Sequence, residues 1–252
     1  MNINWDADKY TQDFAFVHQY GAGVAELIDA PAGSTVLDLG CGNGALSKTL
    51  QEKGFVVTGM DDSGELLNIA GQNYPELQFI RANAVNFHLE KPMDVIFSNA
   101  VFHWIEKEKQ EDMLACVHAA LKEGGQFVFE FGGYENNRLI HGALAEAFAD
   151  RGFEYRMPFY FPTIGEYSAS LEKTGFKVVY AVLFDRPTEL LGEDGLKDWI
   201  NMFVKTPFSM IEDETLRHTI IDKAVERLRP VLYRDGKWYA DYVRIRMKAI
   251  RL

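Results

Sequence analysis

The hydrophobic pattern predicts an α/β domain built on a doubly wound, mostly parallel sheet. Three observations carry that expectation. Short apolar runs alternate with amphipathic stretches from residue 34 to residue 131, five such runs follow one another in that order, and the first passes straight into a glycine-rich turn. Strands are expected at 35–39, 56–60, 77–81, 93–98 and 126–131. Helices are expected between them at 45–53, 64–73 and 107–122, the last closed by Gly124-Gly125 as a glycine C-cap. Tyr10, Phe14, Val17 and Val24 recur at roughly helical spacing, which places helix before the first strand, over the sheet's carboxyl edge. Beyond residue 131 the alternation weakens. An aromatic, proline-bearing segment (153–162) precedes a helix at 164–173, a strand-like run at 176–184, helices at 195–205 and 214–228, and a last alternating strand at 238–250. The chain is thus expected to form one domain, with helical cap elements at about 1–30 and 135–230.

Bulk properties narrow the function classes. A chain of 252 residues with 47% hydrophobic content can bury a sizeable core. No apolar run approaches the roughly eighteen residues of a membrane span, and the first residues lack the basic and apolar regions of a signal peptide, so a cytoplasmic location is expected. Two cysteines, Cys41 and Cys116, are too few for a disulfide scaffold, and the six histidines show no metal-ligand spacing. No metal is expected. The 26 Lys and Arg against 37 Asp and Glu give a net charge of −11, which disfavours nucleic acid as a partner.

The stretch Val36-Leu37-Asp38-Leu39-Gly40-Cys41-Gly42-Asn43-Gly44 carries most of the functional information. Glycines at 40, 42 and 44 leave no β-carbons, so the backbone can turn sharply and a ligand can approach the main chain. A dinucleotide fingerprint needs GxGxxG, whereas here the third glycine comes one position early, which argues against nicotinamide or flavin dinucleotides. Asp61 follows Gly40 by 21 positions, at the tip of the second predicted strand, where a carboxylate can accept hydrogen bonds from both hydroxyls of a ribose. Asp62 or Ser63 can cap the next helix, leaving Asp61 for the ligand.

These nine residues resemble the first motif of class I methyltransferases, in which the glycine turn passes under the methionine part and ribose of S-adenosylmethionine. A second stretch, Asn99-Ala100-Val101-Phe102-His103-Trp104, resembles the loop that follows strand four in small-molecule members. From Trp5 and Tyr10 to residue 131, about half the chain, the layout is similar to the trans-aconitate and malonyl-carrier-protein methyltransferase group. The resemblance implies a Rossmann-like sheet whose final strand is antiparallel, with S-adenosylmethionine as cofactor and S-adenosylhomocysteine as product. It also implies cofactor contacts from Tyr10, Gly40, Cys41, Gly42, Asp61, Asp62, Asn83, Ala84, Asn99 and Ala100. Asn83 departs from the family's usual Asp; its amide oxygen can accept the adenine amino group's bond, or it is a turn residue.

His103 is the candidate catalytic residue on the acceptor side, as a general base or an orienting group, with helix capping as the alternative; Trp104 is expected in the core. Methyl transfer from a sulfonium needs mainly alignment and water exclusion, and a carboxylate acceptor needs no base. Arg138, Arg151 and Arg156 would suit an anionic acceptor; Phe153, Tyr155, Phe159, Tyr160 and Phe161 would suit an apolar or aromatic one. A small-molecule methyltransferase is therefore expected. A non-catalytic S-adenosylmethionine sensor or scaffold is the alternative, and a nicotinamide-dependent oxidoreductase the more distant one.

Overall fold

The computed structural model describes residue 21 and residues 23–252. Its strands are β1 (Thr35–Leu39), β2 (Val56–Asp61), β3 (Gln78–Arg81), β4 (Met93–Asn99), β5 (Leu121–Gly132), β6 (Phe176–Leu190), β7 (Tyr233–Arg234) and β8 (Lys237–Arg251). The helices are α1 (Ala45–Glu52), α2 (Gly64–Asn73), α3 (Gln110–Ala120), α4 (Arg138–Ala149), α5 (Ile164–Lys173), α6 (Gly195–Phe203), α7 (Lys205–Phe208) and α8 (Glu214–Leu232), with 3₁₀ turns at Phe102–Trp104 and Lys107–Lys109. One sheet runs in the order β3-β2-β1-β4-β5-β8-β6, with the short β7 paired to β8. All neighbours from β3 to β5 are parallel; β8 runs antiparallel to both β5 and β6. The first strand, β1, lies in mid-sheet, and the order winds out to β3 and returns at β4, so a crevice opens at the carboxyl ends of β1 and β4.

Strand periodicity explains why both faces are covered. Successive residues of β1 and β4 point to opposite sides. Val36, Val95 and Phe97 pack on one side with Leu46 and Leu50 of α1, while Leu37 and Ile96 pack on the other with Met113, Leu114 and Val117 of α3. Short runs that are apolar at every position are what a sheet buried on both faces requires. A third cluster joins α4, α6, α7 and α8 through Leu144, Phe148, Trp199, Ile200, Phe208, Ile220 and Leu228 to Leu190, Trp238 and Tyr242 at the far ends of β6 and β8.

Two of the boundaries that differ from the sequence expectation have a direct physical reason. Helix α3 ends at Ala120, because Leu121 turns extended (φ −93°, ψ 152°), is fully buried and pairs with Met93. Residues 122–125 then bulge before Gln126 pairs with Val95, and a β-carbon at Gly125 would lie 2.8 Å from the Lys122 carbonyl oxygen. The two glycines thus serve a bulge inside β5 rather than a helix C-cap. Strand β6 runs on to Leu190, because β8 offers it a partner throughout; Pro187 is tolerated where β6 forms the sheet's edge. Among the described residues no helix is long and apolar enough to cross a membrane.

Candidate active site

The glycine turn is held by the strand beside it. The Gly40 and Cys41 amides both donate to the Met60 carbonyl oxygen of β2, at 2.7 and 3.0 Å. Gly40, Gly42 and Gly44 take φ of +80°, +56° and +82°, a region side chains rarely tolerate. A β-carbon at Gly40 would collide with Val101, and one at Gly44 would lie 2.9 Å from Phe79. At Gly42 it would meet nothing within 4 Å. Gly42 faces a cavity of about 650 Å³ at the carboxyl edge of the sheet.

That cavity gathers most of the residues read from the sequence: Gly40, Gly42, Asp61, Asp62, Asn83, Ala84, Asn99 and Ala100 all line it. Asp61 accepts from the Gly42 amide (2.9 Å) and the Ser63 amide (2.8 Å), so its carboxylate ties the glycine turn to the end of β2 while facing the cavity. Burial raises the Asp61 carboxyl above its ordinary range, against those backbone bonds. The Ser63 hydroxyl accepts from the Leu66 amide (3.3 Å) and caps α2. Asn83 forms a turn, its Oδ1 accepting from the Val85 amide (3.0 Å) and its Nδ2 donating to Asp62 (3.2 Å). Ala100 is held at φ +62°, with its amide on the Glu130 carbonyl oxygen at 2.7 Å. Beneath the turn, burial pushes the Asp38 carboxyl up to about 7, and the Ser47 hydroxyl donates to it at 2.6 Å.

Three residues lie elsewhere. Tyr10 falls outside the described residues. Cys41 is buried and turned away from the cavity towards Gly59, where an added β-carbon would lie 2.9 Å from its Sγ. Its amide is engaged by Met60, which leaves no group of Cys41 facing a ligand in the cavity. His103 lines a second, smaller cavity of about 40 Å³. The two cavities share Ala100 and Trp104. His103 Nδ1 accepts from the Gly132 amide at 3.3 Å, which leaves the ring proton on Nε2. Burial, aided by the charge of Arg244, holds its pKa well below the ordinary 6.5. The ring is neutral at physiological pH and presents a donor.

The rest of the second cavity was largely hidden in the sequence. Trp104 is half-buried between the two cavities rather than in the core, its ring edge-on to Phe159 at 4.8 Å. Phe159, Phe161, Trp199 and Phe203 supply aromatic walls, and Asn137 and Arg244 supply polar ones. Arg138, Arg151 and Arg156 do not reach either cavity. All three are exposed, and Arg138 and Arg156 face the carboxylates of Glu135 and Glu154, because their segment runs over the surface. No local pattern marks Asn137 or Arg244, which enter only through α4 and β8.

The cavity's fit to an adenosyl cofactor rests on the open side of Gly42, which any side chain would fill, and on the carboxylate of Asp61 beside it. Comparison with known proteins points the same way. Residues 36–125 match the methyltransferase-domain family. An uncharacterised methyltransferase of Schizosaccharomyces pombe is 27% identical over 97% of both chains. Trans-aconitate 2-methyltransferase of Rhodopseudomonas palustris is 32% identical over 48% of each. Among solved structures, a methyltransferase of Bacillus halodurans shares the fold with a TM-score of 0.64, at 14% identity over 92% of this chain and 99% of that one. Residues 36–125 thus carry a methyltransferase domain, and the glycine turn and the sheet order around it support a class I S-adenosylmethionine-dependent methyltransferase.

Proposed function

We propose that the chain methylates a small-molecule carboxylate, with S-adenosylmethionine in the larger cavity and the acceptor's reacting end in the smaller one. The observation that carries this reading is the junction of the two cavities at Ala100 and Trp104, with a buried neutral histidine and an arginine on the acceptor side. When bound, the cofactor supplies an electrophilic methyl group; a carboxylate oxygen forms the new O–C bond as the S–C pair returns to sulfur, and no proton needs removal.

Each residue then has a defined task. Gly42 leaves room for the cofactor, Asp61 accepts from the ribose hydroxyls, and Asn99 and Ala100 flank its methionine end. Asp62, Asn83 and Ala84 line the adenine side. His103 does not act as a base, because its Nδ1 is occupied and its Nε2 carries the proton. Nε2–H instead orients the acceptor carboxylate, and Arg244 offsets the charge. One relative is named for trans-aconitate, itself a carboxylate. The net charge of −11 fits a small acceptor better than nucleic acid, and the free thiols of Cys41 and Cys116 fit a reducing cytoplasm.

Two measurements test this reading. Calorimetry of Asp61→Ala should show S-adenosylmethionine affinity weakened by about 1.5–3 kcal/mol, the worth of a charge-assisted hydrogen bond. Unchanged affinity removes Asp61 from the site. Turnover on a panel of carboxylates should be flat between about pH 5.5 and 8, since the acceptor is ionised and His103 neutral throughout. His103→Ala should lower that rate by about tenfold, less than loss of a general base. A limb near the ordinary histidine pKa, abolished in His103→Ala, would restore the base.

A further inference from the structure

Helices α6, α7 and α8 enclose a cavity that methyl transfer does not use. It measures about 360 Å³, inside the roughly 300–1,000 Å³ of small-molecule sites. It shares no lining residue with the two cavities described above. Helix α6 separates it from the smaller one: Trp199 and Phe203 line that cavity, whereas Ile200, Asn201 and the following Val204 line this one. The floor is apolar, with Ile200, Val204, Phe208 and Ile221 all buried. The rim is polar and carries Lys205, Glu214, Arg217 and His218 beside Asn201 and Ser209.

Arg217 is the fixed point of that rim. Its Nε donates to the Ile211 carbonyl oxygen, which anchors the guanidinium beside the cavity. Nη1 lies 3.9 Å from Glu214 Oε1, an ion pair too long to be a hydrogen bond. Among the described residues only the Nε–H of the five guanidinium N–H groups is thus hydrogen-bonded, and the Nη edge keeps its donors for a ligand. The His218 imidazole offers an N–H in either protonation state. The helix end is not the attraction, since the Asp213 side chain already accepts from the Thr215 and Leu216 amides at the start of α8. Charge selects the ligand. Among the lining residues Lys205 and Arg217 outnumber Glu214 by one, which suits a monoanion and disfavours a dianion such as phosphate. A planar carboxylate matches the guanidinium fork, and the buried floor calls for an apolar tail. At about 30 Å³ for each water-sized group, the cavity holds roughly a dozen heavy atoms. We infer that this cavity is a second small-molecule site, separate from the methyl-transfer site, for a monocarboxylate with an apolar tail: the carboxylate lies on Arg217 and His218, and the tail lies over Ile200, Phe208 and Ile221.

The test uses octanoate as the probe, with octanol as the uncharged control and inorganic phosphate as the tail-less one. Binding is read by calorimetry and by the methyl resonances of isoleucine-labelled full-length protein saturated with S-adenosylhomocysteine. Octanoate should shift the Ile200 and Ile221 methyls, and should do so equally in His103→Ala. Octanol and phosphate should each bind at least about tenfold more weakly. Arg217→Gln should weaken octanoate by about tenfold or more. Because Arg217 also anchors its own turn, Asn201→Trp gives a second variant: it keeps every charge, sits at an exposed position and places an indole at the mouth of the cavity. It too should weaken octanoate by about tenfold or more. The inference is overturned if octanoate leaves the Ile200 and Ile221 methyls unmoved, or if octanol or phosphate binds as tightly. Octanoate affinity unchanged in either folded variant overturns it as well, and binding lost in His103→Ala would place the probe in the methyl-transfer site instead.

Discussion

A methyl group at Gly40 would collide with the side chain of Val101, whereas one at Gly42 would project into the larger cavity with nothing within 4 Å. The two glycines of one motif thus answer different demands, and their substitutions should fail differently. Gly40→Ala should destabilise the fold by about 2–4 kcal/mol in urea denaturation, from overpacking added to a left-handed backbone. Gly42→Val should stay folded, weakened by about 1–2 kcal/mol of backbone strain, yet lose S-adenosylmethionine binding in calorimetry. Retained binding by Gly42→Val would remove the turn from the cofactor site. The sequence makes this motif legible because its function depends on spacing over nine consecutive residues. It is less informative at Asn83, where a family position and a turn position coincide, and the Asn83 amide oxygen meets the Val85 amide. The tautomer of His103 was beyond it, since the proton's place on the ring is set by the amide of Gly132, 29 residues away.

Among the elements, β8 and β6 change the character of the sheet. Glu130 of β5 is 2% exposed and lies opposite Arg246 of β8, whose Nε donates to it at 2.7 Å; Arg186 of β6 donates at 2.5 and 3.0 Å. One carboxylate therefore joins three strands behind Ala100, whose amide rests on the Glu130 carbonyl oxygen. Glu130→Gln strands two largely buried guanidinium groups and should cost about 3–5 kcal/mol, read from urea denaturation. Replacing all three residues by apolar ones of similar size should cost much less, because charges are removed rather than orphaned. Equal losses for the single and triple variants would show that the cluster acts by packing alone. The alternating pattern at 238–250 announces a strand, but not its place between β5 and β6 nor its direction; the antiparallel expectation came from resemblance. The glycines at 124 and 125 were legible as a break in a helix, whereas the buried Leu121 turned them into a bulge.

For the whole molecule, burial of ionisable groups shapes the response to acid. Asp38 and Asp241 are pushed up to about 7 and about 6, chiefly by burial, so the folded protein keeps protons that the unfolded chain releases above about pH 4. These two groups add stability as pH falls from 7 towards 4. His141, lowered by burial to about 3, and His103, held well below its ordinary value, work in the opposite direction: below about 6.5 the unfolded chain takes up protons that the fold refuses. The two effects largely offset each other down to about pH 4. Below that the carboxyls have saturated while His141 continues, so stability should fall more steeply. Each unmatched proton contributes about 1.4 kcal/mol per pH unit. Urea denaturation at stepped pH should show the difference between wild type and His141→Asn changing by that slope between about pH 4 and 3; parallel curves would mean that His141 is protonated in the fold. By itself, the sequence determined the α/β class, the glycine turn and the place of Asp61, because strand periodicity and motif spacing are local properties; the Asn99-Ala100 loop was read from family resemblance. Only the tertiary structure brought Asn137 and Arg244 to the same cavity as His103, turned Cys41 inward and left Arg138, Arg151 and Arg156 at the surface. The smaller cavity is assembled from α4, α6 and β8 at large sequence separations, and packing between distant elements leaves no spacing for a sequence to display.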